Sequence, residues 1–406
     1  MTALLTCGHT RASLAAVRSI GRAGHAVAVG GQHRPSLAMW SRYSTTSLLL
    51  PEPLLDPKAF VMKLAEETSG RRIHAVFPGT DAALWAISKW RELMPDHVLS
   101  CFPPHEAVAR IHDRATLHDL ATTLDIPCVN TFRVAARSEV EPVIRKAREI
   151  GLPALVRPLI PVEERMDGTR RVADVYPVGT VAELRRLLYD RNDIVAGGCL
   201  IEPRPQGQTI GYGAIFNGGK PVVEIFQERL REREILSGVS TVAKTIAPDF
   251  EIRHIGRRIL EALDWTGPAM IEFIRVKATQ EVQLVNIVGR LWGSVQLAIS
   301  AGIDVPRLCY RMAKGRRVPT GLVAKSGVQF RWILGDFSQM LERAASSFDP
   351  YGTGFRALRR LEPFAEFAHP KYFFRSSYDV LDRDDPMPFL FECQRRVQSF
   401  GPFHTS

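Results

Sequence analysis

Residues 283–294 read QLVNIVGRLWGS, and the organisation of the whole chain turns on them. Apolar residues alternate in the pattern of a half-buried strand. A Gly289-Arg290 step follows, and Trp292-Gly293-Ser294 closes the segment. Magnesium is a hard cation that prefers oxygen ligands, so an enzyme using it would place carboxylates at the end of such a strand. Here the side chains in question are Asn286 and Val288.

The neighbouring segments supply the sheet that this strand needs. Upstream lie the strand AMIEFIRV with Glu272, the amphipathic helix IRHIGRRILEALDW, and the hairpin YGAIFNGGKPVVEIFQERLRE. Its turn at Asn217-Gly218-Gly219 suits type I′ geometry, which requires positive φ. Antiparallel strands around a helix predict an α+β unit. Before it come the strand CLIEPRPQGQ, the helix VAELRRLLYDR, the short buried strand PALVRP and a long helical stretch, HEAVARIHDRATLHDLATTLDI, closed by Pro127.

At the N-terminus the pattern changes. A strand, a turn at Gly8-His9, a helix from Thr10 to Arg22, a stop at Gly24 and the strand AVAVG form a β-α-β unit. HAVFPGTD, AALWAISKWREL and HVLSCFPP continue it as strand, helix and strand, predicting a parallel, doubly wound sheet. The first turn carries only Gly8 and lacks the G-x-G-x-x-G fingerprint, so a structural domain lending one wall to a cleft is expected, without a dinucleotide site. The expected division is a leading α/β domain over 1–107, a central unit over 108–316 and a C-terminal extension over 317–406.

Composition bounds the function. Hydrophobic content of 45% with 24% charged residues is globular, not disordered. No apolar run reaches the roughly 20 residues needed to span a bilayer, and the N-terminus does not read as a secretory signal, so a cytoplasmic protein without a membrane is expected. Six widely spaced cysteines give neither a zinc pattern nor a disulfide framework. The net charge of +10 would attract anions, but no nucleic-acid motif accompanies the scattered basic residues. Nucleic acid is therefore not an expected partner, and a homo-oligomer stays open.

In order and spacing these segments resemble the ATP-grasp superfamily, and within it the carboxylate–amine ligase-like proteins. The resemblance covers most of the chain and implies a Rossmann-like leading domain, an ATP-grasp fold and a C-terminal extension. The family's Asp-Lys helix start is matched by Asp113-Arg114, its Lys-Pro strand end by Arg157-Pro158, and the adenine-facing Glu by Glu202. Arg229 and Arg231 fall in the Arg-rich segment expected at the mouth of the cleft, and Glu272 on the first metal-binding strand. The pattern Glu-Ile-Asn-Pro-Arg-x-Trp-Gly-Ser appears as Asn286 to Ser294, with Arg290 at its arginine.

What the resemblance implies is ATP-dependent activation of a carboxylate as an acyl phosphate and its transfer to an amine. Arg114, Arg157 and Glu202 would then hold ATP, Glu272 and Asn286 Mg²⁺, and Arg290, Arg229 and Arg231 the acceptor and the transferred phosphate. Arginine at two lysine positions keeps the charge but directs it differently. The losses at Asn286 and Val288 cut deeper and leave at most a degenerate metal site. The segment from Arg157 to Val181, where a Gly-rich phosphate loop would be expected, holds only Gly168 and Gly179 beside Arg165, Arg170 and Arg171. The rival is therefore a catalytically impaired relative, a nucleotide-binding scaffold or regulator.

Other conspicuous residues have plainer accounts. His9, His25, His74 and His112 lack metal-site spacing. Trp40 and Tyr43 are expected to pack the leading domain rather than line a substrate cleft. The aromatic end, DDPMPFLFE, is expected to dock on the C-terminal domain because its exposure to water would be costly.

Overall fold

The computed structural model describes residues 2–99, 101–112, 114–129, 131–135, 137–146, 151–159, 162–164, 170–172, 174–203, 206–232, 239–319, 321–345 and 361–400. The leading domain carries β1 (Thr2–Leu5), β2 (Ala26–Gly31), β3 (Thr46–Leu49) and β4 (Ile73–Phe77), paired in parallel in the order β3-β2-β1-β4. Thr10 caps the first helix, Arg11–Arg22, accepting from the Ser13 N–H at 3.1 Å. Gly8 is there for space, since a Cβ would sit 2.5 Å from Ser36 Oγ and 2.6 Å from Val29 Cγ1.

The expected strand in HVLSCFPP is instead a 3₁₀ turn, Asp96–Leu99. Pro95 supplies the reason: its carbonyl accepts from Val98 N at 3.1 Å, closing a tight turn that drops Val98 into the core. The predicted long helical stretch divides into helices His105–His112 and Arg114–Thr123.

The central unit holds two sheets. A small antiparallel one joins β5 (Phe132–Val134), β6 (Ala154–Pro158), β9 (Tyr176–Val178) and β10 (Cys199–Pro203) in the order β5-β10-β6-β9, and β7 (Val162–Glu164) pairs with β8 (Arg170–Val172) as a separate ribbon. Its core, which includes Val134, Val156, Leu184, Leu188 and Ile201, is separate from the other cores of the chain. The small sheet is therefore a body that packs within itself.

The large sheet runs β15-β14-β11-β12-β13-β16-β17. Its strands are β11 (Gly207–Asn217), β12 (Lys220–Glu232), β13 (Ser240–Thr245), β14 (Gly267–Val276), β15 (Val282–Val288), β16 (Gln329–Arg331) and β17 (Ser376–Tyr378). The β11–β12 hairpin turns at Gly218 and Gly219, with φ of +54° and +67°, as type I′ geometry demands. β16 and β17 come from the C-terminal extension and lengthen the sheet. On one face Tyr212, Phe273 and Ile287 pack under the helix Phe250–Ala262 in a core shared with the leading domain. On the other, Met270, Val288 and Trp292 join a core with helices Arg11–Arg22 and Val305–Ala313.

The aromatic tail docks more widely than expected. Glu392 accepts from Trp332 Nε1 at 2.8 Å within the extension, but Phe391 lies 5.6 Å from Trp40 and Asp385 meets Arg18 and Ser41, all in the leading domain. Buried Arg18 is neutralised by Asp385 of the tail, 2.9 Å from its Nε. Among the described residues no helix is long and apolar enough to cross a membrane.

Candidate functional site

The two sheets of the central unit meet where the segment before β5 runs beside β15. Val129 N donates to Leu284 O at 3.0 Å and Leu284 N to Pro127 O at 2.8 Å, so the chain entering the small sheet is tied to β15. Beside this tie Leu117, His118, Cys128, Thr131, Glu202 and Val285 line a small pocket open to solvent. Glu202 is buried at the end of β10, and its Oε2 lies 3.5 Å from Arg157 Nη2 on the neighbouring strand β6. The structure thus brings Arg157 and Glu202 together on adjacent strands of the small sheet.

A second group forms the floor of the cleft on the large sheet. The register sets Gln227, Gly211, Glu272 and Asn286 opposite one another across β12, β11, β14 and β15. Gly211 leaves room for the side chains on either side: a Cβ there would lie 2.8 Å from Met270 Sδ and 3.0 Å from Gln227 Cγ. Across this gap Arg229 makes a short ion pair with Glu272 and contacts Glu232 at 3.3 Å. Asn286 Nδ2 donates to the other Glu272 oxygen at 3.3 Å. Burial works against the Arg229 charge, but Glu272 and Glu232 outweigh it and raise its pKa.

The remaining site residues go elsewhere. A register shift between Arg229 and Arg231, a bulge in β12, breaks the alternation that would have kept the two on one face. Arg231 is buried 3.1 Å from Asp336, with its guanidinium 4.1 Å above the Tyr372 ring. Burial lowers its pKa and raises that of Asp336, their mutual attraction notwithstanding. Arg290 donates to Asp81 Oδ2 at 2.8 Å and to Leu291 O at 2.9 Å, which places it between the end of β15 and the start of the helix Asp81–Lys89. Arg114 opens its helix, but its side chain, like those of Arg170 and Arg171, and the whole of Asp113, Arg165 and Gly168 lie outside the described residues.

Two neighbours of these residues escaped the sequence reading. Gln227, two residues before Arg229 in FQERLRE, shares its face and donates to Ser294 Oγ at 2.8 Å; strand alternation was the signal. Asp81, the partner of Arg290, follows the Pro78-Gly79-Thr80 turn and could not have been paired with a residue so distant in the chain.

The donor set on the floor does not fit Mg²⁺. One carboxylate, Glu272, has both oxygens engaged, by Arg229 and by Asn286. Val288 offers no donor, and among the described residues no group of three His, Cys, Asp or Glu side chains could hold a metal ion. Of the four histidines, His25 lies 5.0 Å from the Tyr310 ring, His74 accepts from Thr2 N at 3.1 Å and His112 stacks 5.5 Å from Trp85. Tyr43 packs on Gly21 and Arg22, and Trp40 on the tail.

No protein-family model matches the chain, and no curated protein matches its sequence. Solved structures do match its fold. An ADP complex of N5-carboxyaminoimidazole ribonucleotide synthetase superposes with a TM-score of 0.61 at 13% identity, covering 84% of this chain and 85% of that one. A biotin carboxylase complex with β,γ-ATP from Campylobacter jejuni gives 0.57 at 16%, covering 80% and 74%. An L-amino acid ligase from Bacillus licheniformis gives 0.56 at 14%, covering 77% and 74%. The chain therefore has the ATP-grasp fold, with its leading α/β domain, its paired α+β sheets and the cleft between them.

Proposed function

We propose that the cleft binds ATP and uses it to activate a carboxylate for attack by an amine. A carboxylate oxygen attacks the γ-phosphorus and ADP leaves; the amine nitrogen then attacks the acyl carbon, phosphate leaves, and the amine sheds a proton. The single observation that carries this reading is an ATP-grasp fold whose small sheet holds the Arg157–Glu202 pair and whose large sheet holds Arg229 beside Glu272. Phosphoryl transfer depends mainly on positioning and on positive charge near the moving phosphate. In this role Arg157 faces the nucleotide phosphates from the small sheet, Arg229 from the large one, and Arg290 stands at the acceptor side, reachable from the leading domain. The self-contained core of the small sheet supports closure over the ligand, because it can swing without breaking the packing of either neighbour.

One observation favours a second reading, a nucleotide-binding scaffold or regulator without turnover: Glu272 is already neutralised by Arg229. ADP release measured across a panel of carboxylates and amines separates the two. Release that requires both a carboxylate and an amine supports the ligase. Nucleotide binding with no release for any pair refutes the ligase in favour of the scaffold.

A further inference from the structure

We propose that the cleft takes its nucleotide as the free, metal-uncomplexed anion, with the Arg229 guanidinium standing in for a divalent cation. The inference rests on the nucleotide reading above and names the charged species that reading leaves open.

Three features of the floor converge on it. Arg229 bridges Glu272 of β14 and Glu232 of its own strand, the arrangement of a cation shared by two carboxylates. Asn286 adds a second donor to the same carboxylate, turning its amide N–H to the other Glu272 oxygen. Arg229 is also buried, its side chain 9% exposed. A magnesium ion entering between Glu272 and Asn286 would have to displace a guanidinium that then stays buried without its strongest counterion, which opposes metal entry.

The guanidinium can still serve a ligand. It presents five N–H donors, and Glu232 and Glu272 engage one terminal nitrogen each, so donors remain for a phosphate oxygen. Glu232 is the weaker partner, at 3.3 Å and 28% exposed, and is the group an incoming phosphate displaces. Arginine suits this task better than lysine because its planar fork can hold a carboxylate and a phosphate at once.

Calorimetric titration of the full chain with adenylyl imidodiphosphate, in EDTA and in excess Mg²⁺, tests the inference. Wild-type binding should be about tenfold or more weaker in excess Mg²⁺ than in EDTA, because the cation ties up the free anion that the cleft takes, and Mg²⁺ alone should give no binding heat. Arg229→Gln should weaken binding in EDTA by about tenfold or more and make what remains magnesium-dependent, because Glu272 is then free. Arg229→Lys, which keeps the charge, should retain binding in EDTA and serves if the glutamine variant does not fold. Wild-type binding that Mg²⁺ weakens by less than about tenfold, or tightens, overturns the inference and leaves the nucleotide reading standing. An Arg229→Gln variant that binds as tightly as wild type in EDTA also overturns it. Absence of binding in both conditions overturns the nucleotide reading, and this inference with it.

Discussion

Arg18 is the test of how the C-terminal extension is held to the leading domain. It sits on the helix Arg11–Arg22 with its side chain 2% exposed, facing an Asp385 carboxylate 1% exposed. Its guanidinium donates to Asp385 Oδ2 at 2.9 Å, to Val380 O at 2.9 Å, to Asp385 O at 2.9 Å and to Asp379 O at 3.2 Å. Arg18→Met fills much of the volume but removes every one of these donors. Breaking a buried pair by deleting one partner costs about 3–5 kcal/mol. Asp385 keeps the Ser41 hydroxyl at 2.6 Å and the Arg42 N–H at 2.8 Å, which moderates the loss of its counterion. Three carbonyl oxygens lose donors as well, which offsets that relief, so the expected loss is about 4 kcal/mol. Urea unfolding should show it directly, and limited proteolysis should cut the tail after Tyr378 in the variant before the rest of the chain. In a double-mutant cycle with Asp385→Asn, the two losses should fall short of additivity by about 2 kcal/mol. A loss under about 1 kcal/mol for Arg18→Met would refute the argument, since it would mean that the network is no better than a surface ion pair.

Two further perturbations probe the cleft and the core. Asp81→Asn should release Arg290, changing stability by less than about 1 kcal/mol because Asp81 is 50% exposed. It should tighten adenylyl imidodiphosphate binding about threefold by adding an uncommitted cation near the cleft; weaker binding would show that Arg290 does not face the ligand. Glu224 is opposed by burial, yet hydrogen bonds from Arg257, at 2.9 and 2.6 Å, and from Tyr212, at 2.7 Å, outweigh that and lower its pKa from 4.5. A lowered folded-state pKa gives stability that is present above the ordinary value and lost as pH falls through the folded one. Glu224→Gln should therefore flatten the fall in melting temperature below pH 4.5, and an unchanged acid limb would count against the pairing.

Much of the fold was legible because its signals are local. The period-2 alternation of AMIEFIRV and VQLVNIV gives two strands whatever lies beside them, and Asn217-Gly218-Gly219 fixes a hairpin with its own φ values. The errors lie where a local pattern met a distant constraint. HVLS alternates like a strand, but Pro95 turns it into a 3₁₀ segment. Arg231 sits two residues from Arg229, but one bulge sends it to Asp336, a partner from the C-terminal extension. The tail reaches Arg18 across 367 residues, a pairing no window of sequence can contain. Residue type was readable at the site; which acid each arginine would meet was not.

That choice of partners governs what the cleft can do. Substituting arginine at 157 and asparagine at 286 reads in sequence as one charge kept and one charge lost. In the fold the two changes act together. Among the described residues Arg157 leans on Glu202, Arg229 on Glu272 and Arg290 on Asp81, so each of these three proposed cleft cations already has a carboxylate. A ligand therefore gains only the difference between its own contacts and those it displaces. For exposed pairs such as Arg290–Asp81 the displaced contact is worth under about 1 kcal/mol, and exchange is easy. For Arg229, buried against Glu272, it is worth several times more, so a phosphate is better accommodated by sharing the guanidinium than by breaking the pair. A metal ion, which needs Glu272 for itself, has no such compromise. The asymmetry predicts an order of response to rising salt: screening should weaken the Arg290 contribution first and leave the Arg229 contribution nearly intact.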